Sequence, residues 1–253
     1  MAPCKYTNVD QMWNAIAYND SRKFAFMTTN GRWIHADRHF DSAAQLLNYM
    51  NNNLVSDVHV KPLDEGGREW VFDADFKDCA NKAELELKIN VGATALLLFF
   101  ADKEDAVQRI MFSGNRGFHM WLKFCGRFRM DSPKNVREHW FEVFKKPNKL
   151  VKGDICPGNF AFSVQQAINM YMDQMPQGSA VCDLIVRYWP DVDRDVFCNP
   201  TKQIRAPFSY NYKGGEFSRC LTQQLLQHIT KCSNGCLDGG EAAAATSSNS
   251  KIL

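Results

Sequence analysis

The chain has 253 residues, of which 45% are hydrophobic and 12% aromatic, so it can bury a core and is not typical of a disordered protein. The formal net charge is only +2, so a nucleic-acid partner must be met by local basic clusters and not by a global positive field. The longest apolar run, residues 95–101, is too short to span a bilayer, and the first residues lack the apolar core of a secretion signal. We therefore expect a soluble, intracellular protein whose nine cysteines are reduced.

The spacing of apolar residues predicts a mixture of helices and strands. In chain order these are a helix over 9–18, two strands within 24–34, a helix over 42–50, strands over 54–60 and 69–76, a helix over 84–101, strands over 107–112 and 120–124, and helices over 131–144, 163–175 and 181–189. Asn30 and Gly31 form a favoured tight-turn pair, and Asp41 or Ser42 caps the helix after it. Within 84–101, residues 96–100 alone could be a buried strand, but the length of the pattern favours a helix.

The predicted strand over residues 69–76 carries two acids on one face. Side chains alternate along a strand, so Asp73 and Asp75 point the same way, about 6–7 Å apart. Two carboxylates this close repel each other, and a divalent cation that prefers oxygen ligands relieves the repulsion. The pattern predicts a metal-binding pair, as polymerases and nucleases use. The alternative is two acids on the solvated face of an amphipathic strand.

Residues 113–119, Ser-Gly-Asn-Arg-Gly-Phe-His, form a turn between two predicted strands. Glycines let the backbone approach a ligand closely, and exposed backbone amides can bind phosphate oxygens. Ser113 and Arg116 add a hydroxyl and a planar cation, both suited to phosphate, and alternation places His119 on the same strand face as Trp121. The alternative is an ordinary hairpin in which Ser113 and His119 satisfy backbone groups.

Three alternating acids, Asp191, Asp193 and Asp195, precede Arg205, a proline turn and Lys213 with two glycines. In such an arrangement the acids could bind a metal ion, and the basic side chains beside them could bind an anion. If this segment is extended, all three acids share one face, and periodicity cannot choose among them.

These pieces, in this order, resemble the archaeo-eukaryotic primase small subunit, the catalytic subunit of DNA primases. The layout of that family is an Asp-x-Asp strand, then Ser-Gly-x-Arg-Gly-x-His, then an Asp before an Arg/Lys-x-Pro turn. Val-Phe-Asp-Ala-Asp-Phe and Met-Phe-Ser-Gly-Asn-Arg-Gly-Phe-His-Met-Trp carry most of the likeness, which runs over residues 22–215 and is nearest to the baculoviral late expression factor primases.

The resemblance implies an α+β fold, a primase catalytic core whose RRM-like antiparallel or mixed sheet bears the catalytic carboxylates and packs with flanking helices. We expect one catalytic domain of two layered α/β parts over residues 1–237. The composition of residues 238–253 predicts a disordered tail.

The resemblance also implies DNA-templated synthesis of short RNA primers from ribonucleoside triphosphates by nucleotidyl transfer. Asp73, Asp75 and Asp193 would hold two Mg²⁺ or Mn²⁺ ions. Asp193 is the choice among the three late acids because of its interval from Pro207 and because Val196 is the β-branched residue expected three positions after it. The residues expected to hold the incoming triphosphate are Ser113, Arg116, His119, Arg205, Lys213 and, by a looser match, Arg22.

Zinc is not expected. Family members often bear a zinc site between the first two motifs, and here only Cys79 lies there. Near the carboxyl end, Cys220, His228, Cys232 and Cys236 offer suitable ligand types. We expect this segment to be a helix with unrelated thiols.

The expected partners are a single-stranded DNA template, ribonucleoside triphosphates, the RNA primer and a second, non-catalytic late-expression-factor primase subunit. A viral helicase or polymerase is a further expected partner. The expected location is the host nucleus, and no membrane partner is expected.

Asn211 replaces the family's second pocket histidine, so it can donate a hydrogen bond to phosphate but carries no charge. The basic run 145–152 is either a solvated loop or a nucleic-acid contact.

Two functions are alternatives to primer synthesis: a metal-dependent nuclease and a non-catalytic single-stranded-DNA-binding replication scaffold.

Overall fold

The computed structural model describes residues 5–103, 106–124 and 126–238 as a mixture of helices and short strands. The helices are α1 (Asp10–Ala15), α2 (Ala43–Asn52), α3 (Lys82–Phe100), α4 (Lys134–Phe144), α5 (Phe160–Met170), α6 (Val181–Tyr188), α7 (Arg194–Cys198) and α8 (Thr222–Asp238). The strands are β1 (Arg22–Thr28), β2 (Trp33–His35), β3 (Val55–Leu63), β4 (Val71–Asp75), β5 (Val107–Phe112), β6 (Gly117–Leu122), β7 (Asp191–Val192), β8 (Ile204–Arg205), β9 (Tyr210–Asn211), β10 (Glu216–Phe217) and β11 (Arg219–Cys220).

Two larger sheets organise these strands. The sheet that we call the carboxylate sheet has five strands in the order β11-β5-β6-β4-β7, and the amino-terminal sheet has four in the order β2-β1-β3-β8. Strands β9 and β10 form a separate hairpin. All paired strands in the described residues are antiparallel. The α+β class predicted from the sequence is therefore confirmed.

The carboxylate sheet buries one face under helices. In β4, Phe72 and Ala74 enter the large core formed with the helices, and Asp73 and Asp75 therefore point to the opposite face. The strand over residues 69–76 was predicted with this division of faces.

Helix α3 packs against the carboxylate sheet and α5, and buried residues occur all around it. A helix enclosed in this way is apolar on every side, which is why its sequence also allowed a strand over residues 96–100. The Asn81 side chain caps its first turn by accepting from the Glu84 N–H at 2.9 Å.

The amino-terminal sheet has its own core. Phe24 and Phe26 of β1 pack with Val58 and Val60 of β3 and with residues from α1 and α2. Of the two predicted caps of α2, the structure uses Ser42, whose Oγ accepts from the backbone N–H at position 45. This helix therefore begins where the sequence predicted.

A small apolar cluster joins the two sheets. It consists of Val71, Met111 and Trp121 from the carboxylate sheet together with Val196 and Ile204 from the later part of the chain. Because these side chains are buried together, the sheets are held at a fixed separation beside the face that carries the two β4 acids.

Several predicted boundaries were wrong. The first helix ends at Ala15, and β6 begins at Gly117, three residues before the predicted start. The condition under which the three late acids would share one face, an extended segment over residues 191–195, is not met, because the chain leaves β7 after Val192 and turns into α7. In the described part of the chain, no helix is long and apolar enough to cross a membrane. The predicted disordered tail, residues 238–253, lies outside the described residues except for its first position.

Gly117 should be essential for the pairing of β4 with β6. A Cβ atom at Gly117 would lie 1.9 Å from the Ala74 carbonyl oxygen, so Gly117→Ala must push the two strands apart. We expect a loss of about 2–4 kcal/mol in the free energy of unfolding, measured by urea denaturation. Gly153→Ala is the matched control, because its Cβ would meet no atom within 4 Å. Equal stability of the two variants would contradict this packing.

Candidate active site

A cleft lies between the two sheets, and a cavity of about 490 Å³ occupies it. Strands β4 and β6 line one side, and β3 and β8 line the other. The lining includes most of the residues that the sequence singled out: Asp73, Asp75, Ser113, Arg116, His119, Arg205 and Lys213. Segments that are far apart in the sequence therefore meet in one cavity.

Asp73 is held opposite a histidine. It pairs directly with His119 across β4 and β6, and its Oδ1 lies 3.3 Å from His119 Nε2. Burial raises the pKa of the Asp73 carboxyl, but His119, Arg205 and His59 together lower it by more, so the net pKa lies below its ordinary value. Asp73 is therefore an ionised carboxylate at neutral pH, although only 28% of its side chain is exposed.

Asp75 is paired with the arginine of the 113–119 turn. Arg116 Nε donates to Asp75 Oδ2 at 3.0 Å, and the two side chains are 46% and 37% exposed. An ion pair with this exposure is weak, so a ligand of higher charge can displace it. The guanidinium of Arg116 can therefore reach either the carboxylate or a phosphate bound beside it.

The glycines of the turn are explained by contacts with the protein. A Cβ at Gly114 would lie 2.6 Å from the Glu216 carbonyl oxygen, and Gly117 meets the backbone of β4. The sequence predicted that these glycines let the backbone approach a ligand closely. In the structure they let it approach other backbone segments closely. The Ser113 hydroxyl remains available for a ligand, because its oxygen is buried without a hydrogen-bond partner among the described residues.

The opposite wall of the cleft carries the second basic group. Arg205 ends β8, and its Nη1 donates to the buried carboxylate of Asp57 and to the Tyr210 carbonyl oxygen, the latter at 2.8 Å. The turn after it brings Asn211 and Lys213 to the cavity. Asn211 Nδ2 donates to the Ser113 carbonyl oxygen at 2.9 Å, which ties the two walls together.

Asp193 lies in an adjoining cavity that Asp73 and Asp75 also line. Its backbone N–H donates to the Asp73 carbonyl oxygen at 2.8 Å, and its side-chain Oδ1 caps α7 by accepting from the Val196 N–H at 3.0 Å. Asp191 is the cross-strand partner of Asp75 in β7. The three late acids therefore do not share one face as they would in a strand.

The described residues form no ready-made metal site with three ligands. Within residues 5–103, 106–124 and 126–238, no three His, Cys, Asp or Glu side chains are close enough together to hold an ion. The two β4 acids are the carboxylates that the structure places on one face of the cleft, each already paired with a basic side chain of the protein.

Comparison with known proteins identifies the family. No family model matches the chain. The protein named late expression factor 1 of Orgyia pseudotsugata multicapsid polyhedrosis virus is 71% identical over 242 residues, which cover 95% of this chain and 98% of that protein. The protein named DNA primase of Autographa californica nuclear polyhedrosis virus is 57% identical over 243 residues, 95% of this chain and 90% of that protein. The chain belongs to the baculoviral late expression factor 1 family of DNA primases.

One residue expected in the nucleotide pocket of this primase is not there. Arg22 does not line the cleft cavity in the described residues, and its side chain is fully buried. Arg22 Nη1 pairs with both carboxylate oxygens of Glu69 at 2.7 and 2.9 Å, and Nε donates to the Lys61 carbonyl oxygen. A buried ion pair with this geometry is structural, so the assignment of Arg22 to the triphosphate is not supported.

Some side chains that line the primase cleft were not predicted from the sequence. Asp57 and His59 from β3 and Trp33 from β2 line the cavity beside the predicted residues. The alternation of polar and apolar residues over 57–61 would have predicted that Asp57 and His59 share a face. Nothing in the sequence showed that this face meets the acids of β4, because the contact depends on how the two sheets pack.

The potential zinc ligands near the carboxyl end are only partly described. Cys232 Sγ lies 3.6 Å from His228 Nε2, and both side chains contact the Met170 carbonyl oxygen. The Cys236 side chain lies outside the described residues. The expectation that zinc is absent stays a prediction.

His59 should make the stability of the primase depend on pH. Burial, and then the charge of Arg205, hold the pKa of His59 well below 6.5 in the folded state. The unfolded chain therefore binds a proton first, and the free energy of unfolding should fall as pH drops below about 6.5, by up to about 1.4 kcal/mol per pH unit. In urea unfolding at several pH values, His59→Gln should lose this part of the pH dependence of the free energy of unfolding. The control His139→Gln, on the exposed side of α4, should keep it. The same slope in wild type and His59→Gln would contradict the assignment.

Proposed function

We propose that the cleft between the two sheets is the active site in which this viral primase joins ribonucleotides on a DNA template. The observation that carries the proposal is the single cavity that brings the β4 carboxylates together with phosphate-binding side chains of three separate segments. Carboxylates on one face and cations on both sides are the arrangement that nucleotidyl transfer from a triphosphate requires.

The donor set fits divalent cations that prefer oxygen ligands. Asp73 is ionised, and the basic side chains His119 and Arg116 lie beside the pair, where a bound ion would balance the two negative charges. Asp193 lines the adjoining cavity with both β4 acids, and it would complete the ligand set once its side chain turns from the α7 cap toward them. Mg²⁺ or Mn²⁺ ions, when bound, would lower the pKa of the primer 3′-hydroxyl and stabilise the leaving pyrophosphate.

The other side chains of the cleft would bind and orient the triphosphate. Arg116 can exchange the Asp75 carboxylate for a phosphate oxygen, and Arg205 and Lys213 approach from the opposite wall. Lys213 has no ion-pair partner among the described residues that would compete for it. The Ser113 hydroxyl and the His119 ring would donate hydrogen bonds to the same group.

The antiparallel carboxylate sheet, with helices on the face away from the acids, supports the proposal that it is the RRM-like sheet of a primase catalytic core. The second, non-catalytic primase subunit, the helicase and polymerase contacts and the nuclear location stay predictions. Primase function implies that the chain binds single-stranded DNA and ribonucleoside triphosphates.

The alternative functions have less support. A metal-dependent nuclease could use the same acids but has no need for a set of phosphate-binding groups such as Arg116, Arg205 and Lys213 placed around them. A binding scaffold would not need an ionised acid held in place opposite a histidine. Membership of the primase family favours synthesis over both.

Removal of either β4 acid should abolish primer synthesis. In an assay with single-stranded template, labelled ribonucleotides and Mg²⁺ or Mn²⁺, Asp73→Ala and Asp75→Ala should retain less than about a hundredth of the wild-type rate. Template binding should be nearly unchanged, because the fold keeps its core. Asp131→Ala is the control, since Asp131 is an exposed acid paired with Arg129. Higher residual synthesis would rule out direct metal ligation.

The third acid can be identified with neutral isosteres. Asp193→Asn should eliminate nucleotide incorporation, because Asn still caps α7 but has lost the charge that binds a cation. Asp191→Asn and Asp195→Asn should keep a measurable rate. If instead Asp191→Asn, across the strand from Asp75, is inactive and Asp193→Asn is active, the third ligand has been assigned wrongly.

A further inference from the structure

A fully buried carboxylate lies in the wall of the cleft opposite the proposed metal ligands. Asp57 is in β3, its side chain is 1% exposed, and it lines the cleft cavity. An unpaired charge at such a position would be very costly, so its partners matter. The proposed chemistry gives Asp57 no role.

Asp57 accepts hydrogen bonds from three different directions. Arg205 Nη1 forms an ion pair with Oδ2, the Tyr212 backbone N–H contacts both oxygens at 3.1 and 3.2 Å, and Ser56 Oγ donates to Oδ1 at 2.8 Å. One carboxylate therefore holds both the end of β8 and the turn that follows it. All of these contacts lie within the wall that brings Arg205 and Lys213 to the cavity.

The contacts continue from Asp57 to the opposite wall. Asn211 directly precedes Tyr212 in the sequence. The side-chain oxygen of Asn211 accepts from the backbone N–H groups of Lys213 and Gly214 at 3.1 and 3.2 Å. Asn211 also donates to the Ser113 carbonyl oxygen at 2.9 Å. The turn that carries Lys213 is therefore held by Asp57 through Tyr212 and by the neighbouring Asn211 through Lys213 and Gly214.

The pairing leaves part of the Arg205 guanidinium free. Only Nη1 is engaged, by Asp57 and the Tyr210 carbonyl oxygen, and Nε and Nη2 make no hydrogen bond within the described residues. A guanidinium fixed through one nitrogen presents its remaining donors in a defined direction, because the group is planar and rigid. Without the carboxylate, the long side chain would adopt several rotamers.

We propose that Asp57 is a positioning residue of this primase, which holds Arg205 and the 210–213 turn in the geometry that binds the triphosphate of the incoming ribonucleotide. This inference rests on the proposed function of the cleft. Asp57 itself does not contact the nucleotide. Its loss should weaken nucleotide binding and leave the chemistry at the β4 acids in place.

A matched ion pair elsewhere in the chain separates positioning from stability. Arg22 and Glu69 are 0% and 2% exposed and form a buried pair that does not line the cleft. Breaking either pair leaves an arginine, buried in one case and half-buried in the other, without its carboxylate, which destabilises the fold. Only the Asp57 variant should also change the interaction with the nucleotide.

The test is primer extension on a primed template at varied ribonucleoside triphosphate concentration, with Asp57→Asn and Glu69→Gln. For Asp57→Asn we expect KM for the nucleotide to rise about tenfold, the size of one lost charge-assisted hydrogen bond, with kcat and template binding within about twofold of wild type. For Glu69→Gln, KM should stay within about twofold. An equal KM for the two variants, at similar stability, would overturn the inference.

A double-mutant cycle shows whether Asp57 acts through Arg205. In the Arg205→Ala background, adding Asp57→Asn should raise KM by less than it does in the wild type, because Asp57 then holds only the 210–213 turn, and a full additional tenfold rise would overturn the inference. Ser56→Ala, a milder change that removes one donor to Asp57, should raise KM about two- to threefold, so the test does not depend on the folding of a single variant. If Arg205→Ala itself leaves KM unchanged, the proposed triphosphate site fails and the inference with it.

Discussion

The cleft depends on the antiparallel pairing of β4 with β6. This register sets Asp73 directly opposite His119 and Asp75 opposite Gly117. The pairing closes fully only because Gly117 has no side chain to strike the Ala74 carbonyl oxygen. The close contact of Gly117 with Ala74 therefore fixes how far the turn that carries Arg116 lies from the two acids. A slip by one residue would turn both acids into the apolar core.

The acids of the cleft are paired with basic side chains of the protein itself. Each of the acids Asp73, Asp75 and Asp57 has its own basic partner, and the partners come from both walls. Such an arrangement limits the repulsion among carboxylates that folding has brought together. In the proposed reaction, the same basic side chains would be available to an incoming triphosphate and its metal ions. The weakly held, exposed Arg116 can move easily, whereas the buried pair of Asp57 and Arg205 stays fixed.

Sequence patterns predicted what depends on local periodicity. The two faces of β4, the hairpin around residues 113–119 and the long buried helix α3 all follow from alternation or helical spacing. The acids after Pro190 did not follow the pattern, because an aspartate that can cap a helix ends the strand at once. Arg22 was misassigned and Asp57 was missed for the same reason. Whether a charged side chain meets a ligand or a buried partner is decided by the packing of one sheet on the other, which no local pattern contains.

The most direct test of the account is to locate the ions. Crystals grown with Mn²⁺ and a non-hydrolysable ribonucleoside triphosphate would show the metal by its anomalous scattering. The account predicts manganese at the carboxylates of Asp73 and Asp75, with the triphosphate between Arg116 and Arg205. Manganese bound elsewhere, with the β4 acids still paired only to His119 and Arg116, would contradict the assignment of this cleft as the active site.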